Sequence, residues 1–303
     1  MNWHAEIEAA AARIEGHVRR TPVTSLQIGK HGLEIKMEQL QHTGTFKARG
    51  AFNALIKGPV PKGGVVAASG GNHGAAVAYA AARLGIPARI FVPEIAGPAK
   101  IALIERAGAA LTVVPGTYAE ALAAALAYER ATGAMQVHAY DSPETVAGQG
   151  TCLREWESQG LEADTVLIAV GGGGLIGGAM AWLGGRRKLV GVEPVTASAL
   201  NAALAAGAPV DVEVSGVAAN ALGARRIGEI CFSLARQSGL TSVLVTDAAI
   251  LDAQRLLWHE ARLLVEPAGA TALAALISGA YVPAPGETVA VLLCGANLAP
   301  EPV

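Results

Sequence analysis

The sequence predicts an α/β protein: two domains, each a mostly parallel open sheet flanked by helices. Three observations carry this. Short runs rich in Val, Ile and Leu recur along the chain and are apolar at nearly every position, as strands buried on both faces are. Ala-rich helical stretches separate them, the alternation that parallel pairing requires because each connection must cross over the sheet. Finally, 303 residues, of which 52% are hydrophobic and only 16% charged, are long for one compact core and comfortable for two.

Taken in order, the N-terminal segment carries Glu6, Glu8 and Glu15 and lacks the apolar core of a secretory signal. Ile7, Ile14 and Val18 share one helical face, so it reads as an amphipathic helix. Strands are expected at Val65–Ser69, Ala88–Pro93, Ala110–Pro115, Gln136–Ala139, Thr165–Val170, Lys188–Pro194, Ser242–Thr246 and Thr288–Cys294. Helices are expected between them at Asn72–Leu84, Pro98–Ala107, Tyr118–Thr132, Glu144–Gln159 and Asp247–Leu264. The uncharged stretch Thr165–Gly185 is long enough to span a bilayer. Its eight glycines, four of them consecutive, would break such a helix. A strand, a glycine turn and a short helix is the better reading, and no membrane span is expected.

The formal charge of −2 and a pI near 6.4 leave no electrostatic footprint for nucleic acid or an anionic membrane. A small neutral or zwitterionic partner is expected. Cys152, Cys231 and Cys294 are far apart and form no CxxC or Cys/His ligand spacing, which argues against a disulfide framework or structural zinc and suits a reducing cytoplasm.

In open α/β sheets, ligands bind beyond the carboxyl ends of strands. Ser69–Gly74, Gly171–Leu175 and Cys294–Asn297 each stand at such an end. The run Gly171, Gly172, Gly173 and Gly174 can wrap an anion in backbone amides at a helix N-terminus. It lacks the Lys-Ser/Thr ending of a nucleotide P-loop and is no clean dinucleotide fingerprint. By itself it could equally be a packing turn. Lys47 alone would read as a solvated cation. A phosphate cup, a lysine able to form a Schiff base and an Asn-His loop are together what an aldehyde cofactor with a phosphate tail requires.

Here the motifs become specific. Thr43–Ala51 resembles the TGSFKxRGA cofactor-lysine motif of fold-type II (tryptophan synthase β-like) pyridoxal-phosphate enzymes, with Thr45 in place of Ser. Ser69–Gly74 resembles that family's S-x-G-N-H loop, Gly171–Leu175 its GGGGL cup, and Gly148–Thr151 its AGQGT segment. Gly191–Pro194, Glu266–Ala270 (EPAGA) and Cys294–Asn297 (CGAN, near SGGN) complete the series in the family's order and over most of the chain. The serine/threonine dehydratase branch, which includes serine racemases, is most similar.

The resemblance implies that Lys47, preceded by Phe46, holds pyridoxal 5′-phosphate as a Schiff base and then takes the substrate Cα proton. It implies that Asn72 bonds the cofactor's ring hydroxyl and that Gly171–Gly174 and Leu175 form the phosphate cup. Cys294 faces the pyridine nitrogen, and Glu266 lies near the ring without a definite duty. Ser69, Gly71, Asn72 and His73 are placed near the substrate carboxylate. A neutral thiol holds a proton on the pyridine nitrogen less firmly than a carboxylate would, which favours expelling a β-substituent at once. In the family the cofactor phosphate is thought to help protonate the leaving hydroxyl. The implied reaction converts a small L-3-hydroxy amino acid, such as threonine or serine, to a 2-oxo acid and ammonia.

Three departures matter. The second Ser of the racemases' S-S-G-N-H loop, a base on the opposite face of the substrate, is Gly70 here, which favours elimination over racemisation. Relatives that bind a divalent cation use the Glu of VEP, a carbonyl four residues on and an Asp six residues on. Here Glu193 and Ala197 remain and Ala199 replaces the Asp, so a cation site is possible but not favoured. Asn220 departs from the Asp often found in its segment. The chain ends nine residues after Cys294, so no feedback-regulatory domain and no isoleucine inhibition are expected.

The competing readings are a racemase, a dehydratase for 3-hydroxyaspartate or phenylserine, and a β-replacement transferase similar to cysteine synthase. A nicotinamide oxidoreductase would leave Lys47, Asn72 and Cys294 unexplained, and a non-catalytic binder would leave the intact lysine and cup unexplained. The resemblance further implies a homodimer. It also implies a large cofactor domain of residues 1–51 and 140–303, with a small domain of residues 52–139 that carries the Asn-His loop and closes over substrate.

Overall fold

In the computed structural model, which describes residues 1–116 and 118–298, two sheets organise the chain. Helix α1 (Trp3–Ile14) is capped by the Asn2 side chain, which accepts from the Ala5 amide. Gly16 then takes a left-handed conformation (φ 77°), so Val18 lies past the helix, where it packs on the core around Phe52. An antiparallel hairpin follows, β1 (Val23–Ile28) and β2 (His31–Met37), joined at the Ile28–His31 pair by a tight turn. Then come α2 (Lys47–Lys57), β3 (Val65–Ala68), α3 (Asn72–Leu84), β4 (Ala88–Pro93), α4 (Pro98–Arg106), β5 (Ala110–Val114), α5 (Tyr118–Thr132) and β6 (Met135–Gln136). The second half runs α6 (Pro143–Ser158), β7 (Thr165–Ala169), α7 (Gly174–Leu183), β8 (Lys188–Pro194), α8 (Ala199–Ala206), α9 (Ala219–Leu222), α10 (Glu229–Ser238), β9 (Thr241–Val245), α11 (Asp247–Ala261), α12 (Pro267–Ile277) and β10 (Val289–Leu293).

The larger sheet has the order β1-β2-β10-β7-β8-β9, parallel except for the β1–β2 hairpin. The smaller has the order β5-β4-β3-β6 and is parallel throughout. Central strands β3, β7 and β10 are buried along their whole length, which is why their sequences are unbroken apolar runs. The uncharged stretch becomes β7, the glycine turn and α7, as its composition predicts. No helix among the described residues is long and apolar enough to cross a membrane.

Two elements differ from expectation for tertiary reasons. The hairpin, too polar to stand out as strand sequence, is held because β2 pairs with β10 from the far end of the chain. Strand β6 stops at Gln136: one further bond, from the Val137 amide to Val66, is made, and then the His73 ring takes the Val137 carbonyl.

Beneath α2 lies a buried ionic cluster. Arg49 clasps Glu38 through two bonds of 2.8 Å and also reaches Glu155 at 3.0 Å. Lys36 bonds Glu155 (2.6 Å), Gln159 (2.7 Å) and the Thr21 carbonyl (2.9 Å). Burial alone would raise the Glu38 pKa, but the charge and hydrogen bonds of Arg49 hold it below the usual carboxylate range. Such pairs are costly to break from one side only, because the remaining charge stays buried. Glu38→Ala, which leaves the buried Arg49 and Lys36 to share Glu155 alone, is expected to cost about 3–5 kcal/mol in denaturant unfolding.

Candidate active site

The ends of β10, α2 and α12 are stitched together backbone to backbone. Thr45 bridges Gly295, the Phe46 amide bonds the Cys294 carbonyl at 3.3 Å and the Ala296 amide bonds the Gly44 carbonyl at 3.0 Å. The Glu266 amide bonds the Gly295 carbonyl at 3.1 Å. Thr43, a β-branched residue, sits at φ 60°, a conformation such residues rarely adopt. Its carbonyl is held by the Asn297 side-chain amide at 2.8 Å. Asn297 also donates to Asn72 Oδ1 (2.9 Å), and Asn72 Nδ2 donates to Glu266 Oε1 (2.7 Å). This relay ties the start of α3, on the small sheet, to the strand ends of the large one.

The stitching opens a cleft between the strand ends and the start of α3. Phe46, Lys47, Asn72, Gly171 through Leu175, Glu266 and Cys294 line it, so most of the sequence-predicted set is brought together. Lys47, the first residue of α2, donates from Nζ to the Ala139 carbonyl at 2.8 Å. Burial lowers its pKa to about 8, against a smaller opposing pull from Cys294. Cys294 Sγ donates to the Ala268 carbonyl at 3.4 Å. Burial, reinforced by Glu266, pushes the thiol pKa well up, so it stays neutral.

At the glycine run, no side chain caps the N-terminus of α7, which leaves its first amides free to meet an anion. Gly173 is left-handed (φ 93°), and a Cβ there would lie 2.5 Å from Cys231, while one at Gly172 would overlap the Tyr140 ring. The cup therefore admits only glycine at its centre.

Other predicted residues fall outside the cleft lining. Ser69 Oγ accepts from the Gly71 amide at 3.3 Å, shaping the loop. His73 is buried and bonded to the Val137 carbonyl at 2.8 Å. Burial, with Lys47 adding to it, drives its pKa to about 3, so it is neutral. Glu193 and Ala197 lie elsewhere: the Glu193 oxygens accept from the Leu200 (2.7 Å) and Asn201 (2.8 Å) amides at the start of α8 and from Ser242 (3.3 Å). Burial raises the Glu193 pKa to about 7. Among the described residues no cluster of three or more His, Cys, Asp or Glu side chains forms a metal-holding group.

Sequence reasoning missed Tyr140, Ala169, Ile176, Ala221, Leu222 and Ala268, which also line the cleft. Ala268 carried a signal inside the EPAGA motif, and Ala221 and Leu222 lie beside Asn220 in a segment the sequence reading noted without a role.

Residues 14–295 match the family described as pyridoxal-phosphate dependent enzymes. The chain belongs to that family. The chain is 36% identical to a phenylserine dehydratase of Ralstonia pickettii, over 96% of this chain and 92% of that one. It is 35% identical to an L-threonine ammonia-lyase of Thermotoga maritima, over 97% and 75%. Among solved structures, maize serine racemase superposes with a TM-score of 0.91 at 30% identity, covering 97% of this chain and 93% of that one. A threonine deaminase from T.th. does so with 0.90 at 34%, covering 98% and 99%. Both are fold-type II pyridoxal-phosphate enzymes of the α/β class predicted.

The residues fit the family's cofactor. A lysine amine with its pKa lowered to about 8, an uncapped amide cup closed to a Cβ at its centre and a neutral thiol share one cleft. Gly173→Ala is expected to weaken cofactor binding strongly and to lower the melting temperature as well, measured by absorbance titration and by thermal unfolding followed by circular dichroism. At Gly70, a Cβ would lie 2.5 Å from the Ala96 Cβ. Gly70→Ser is therefore expected to lower the melting temperature, and Ala96→Gly in the same chain to restore it.

Proposed function

We propose that this enzyme removes water from a small L-3-hydroxy amino acid and releases the corresponding 2-oxo acid and ammonia. The observation that carries the reading is the pair of groups that the cleft brings together, a Lys47 amine whose pKa burial lowers to about 8 and a Cys294 thiol that donates its hydrogen bond to the Ala268 carbonyl. When bound, pyridoxal phosphate supplies an aldehyde that captures the substrate amine and withdraws electrons from Cα. Lys47 would hold the cofactor and then take the Cα proton, for which a lowered pKa suits it. The Gly171–Gly174 amides would hold the phosphate. With its hydrogen directed at Ala268, Cys294 offers a ring nitrogen only weak sulfur lone pairs. The resulting weak electron sink favours prompt loss of a β-substituent.

The names of the relatives support the same chemistry, and the cleft narrows the substrate. Its wall is Phe46, Ala169, Leu175, Ile176, Ala221, Leu222 and Ala268, with no cation among the lining residues besides Lys47. A methyl or phenyl substituent at Cβ finds apolar partners there, whereas the second carboxylate of 3-hydroxyaspartate finds no counter-charge. Gly70 gives no proton on the opposite face, which supports elimination over racemisation.

The domain division belongs to this proposal: residues 1–51 and 140–303 around the large sheet, and residues 52–139 around the small one. The Ala51/Phe52 boundary falls inside α2, so that helix is shared. A cytoplasmic homodimer is the accompanying expectation, its oligomeric state read by light scattering.

The test is 2-oxo acid production from L-threonine, L-serine and L-phenylserine by the cofactor-loaded protein. Activity is expected on at least one of them and to vanish in Lys47→Ala; no oxo acid from any would sink the reading. Cofactor uptake by the stripped protein should also depend on pH. The neutral amine is the reactive form, so the uptake rate should fall about tenfold per pH unit below the Lys47 pKa and level off above about 8.

A further inference from the structure

We propose that Asn297 is a positioning residue for the cofactor. It locks the Asn72 side-chain amide so that an N–H, and never the carbonyl oxygen, faces the hydroxyl beside the cofactor's aldehyde. The inference rests on the pyridoxal-phosphate reading and not on the choice of reaction.

A side-chain amide can turn end for end at little steric cost, because its oxygen and its NH2 group are of similar size. In the relay between Thr43 and Glu266 both ends are pinned by acceptors. Glu266 Oε1, a carboxylate oxygen, lies 2.7 Å from Asn72 Nδ2. The Thr43 carbonyl lies 2.8 Å from Asn297 Nδ2. Each must face an NH2 group, since neither carries a hydrogen. The Asn72 oxygen is thereby turned to Asn297, whose Nδ2 donates to it at 2.9 Å. Turning either amide over would set oxygen against oxygen. Direction therefore runs one way through the relay.

Asn297 uses one N–H on Thr43 and the other on Asn72. Its seat is shaped for this. Thr43 and Gly44 both take positive φ, 60° and 73°, and a Cβ at Gly44 would lie 2.6 Å from Asn297 Oδ1. Asn72 uses one N–H on Glu266. Its second N–H meets no protein acceptor among the described residues, and Asn72 lines the cleft beside Lys47 and Glu266.

The chemistry of the cofactor says which atom meets that N–H. Its ring carries an aldehyde flanked by a phosphate arm and a hydroxyl, with the ring nitrogen opposite. In the proposed seating Lys47 takes the aldehyde, the glycine cup the phosphate, and Cys294 faces the nitrogen. The hydroxyl is the polar group still to be met. Of the other polar lining residues, Tyr140 lies against the cup and donates to the Arg226 carbonyl at 3.3 Å, and the Glu266 carboxylate only accepts. Asn72 Nδ2 is the remaining donor. An N–H stabilises the ionised ring oxygen, whereas an amide oxygen in its place would repel it.

The experiment reads binding rather than turnover. Stripped protein is titrated by absorbance with pyridoxal phosphate and with the analogue that has hydrogen in place of the ring hydroxyl. The quantity compared between variants is the ratio of the two affinities, in which a general weakening of the site cancels. Asn297→Asp keeps the side-chain shape but turns acceptors toward both Thr43 and Asn72. It is expected to cut the preference for the hydroxyl form by about 10-fold to 100-fold, and Asn297→Ala to cut it by less. Loaded Asn297→Asp protein should also lose the yellow absorbance of the ionised ring oxygen in favour of a near-ultraviolet band. Thr43→Gly takes positive φ without restraint, so Asn297 is not needed there to hold residue 43. Asn297→Asp in that background should show the same selective loss. Equal losses for the two compounds, an unchanged ratio, or a loss that disappears in the Thr43→Gly background would overturn the inference. Oxo acid production tests the dehydratase reading separately.

Discussion

The clasp of Arg49 on Glu38 is the interaction on which the site depends. It is buried and two-pronged, and through Glu155 it joins Lys36, so β2, α2 and α6 meet around two positive and two negative charges. Lys47 opens the helix on which Arg49 sits two residues later. Fixing Arg49 therefore fixes the start of α2 and the place from which the Lys47 side chain sets out. Isolated charges would be expelled from such a core. Here each charge meets its opposite in hydrogen-bonding geometry, and the arrangement admits few alternatives.

A second constraint acts on top of the first. The Thr43–Phe46 segment, the start of α12 and the end of β10 share backbone hydrogen bonds, and Asn297 and Asn72 carry the connection to the small sheet. Burial then sets the protonation of what is gathered there. It brings Lys47 toward neutrality, keeps Cys294 a thiol and leaves His73 uncharged. One physical cause, removal from water, thus tunes an amine, a thiol and an imidazole together.

Much of this was legible in the sequence because its signals are local. Mostly apolar runs marked β4 and β8 at their observed bounds, and the glycine run marked the turn between β7 and α7. The lysine, cup and thiol motifs pointed to one cofactor, and the structure places them around one cleft. The hairpin was not legible because its strand β2 owes its pairing to β10, over two hundred residues away. Glu193 matched a cation motif, yet its oxygens are taken by amides of α8 that no motif mentions.

By itself the sequence determined which chemical groups are present and at which strand ends, since both follow from residue type and short-range periodicity. The tertiary structure alone decided where each group is directed. It turned His73 to the Val137 carbonyl and set Tyr140 against the glycine cup. Hydrogen-bond partners and burial are properties of pairs distant along the chain, and the folded packing selects among them.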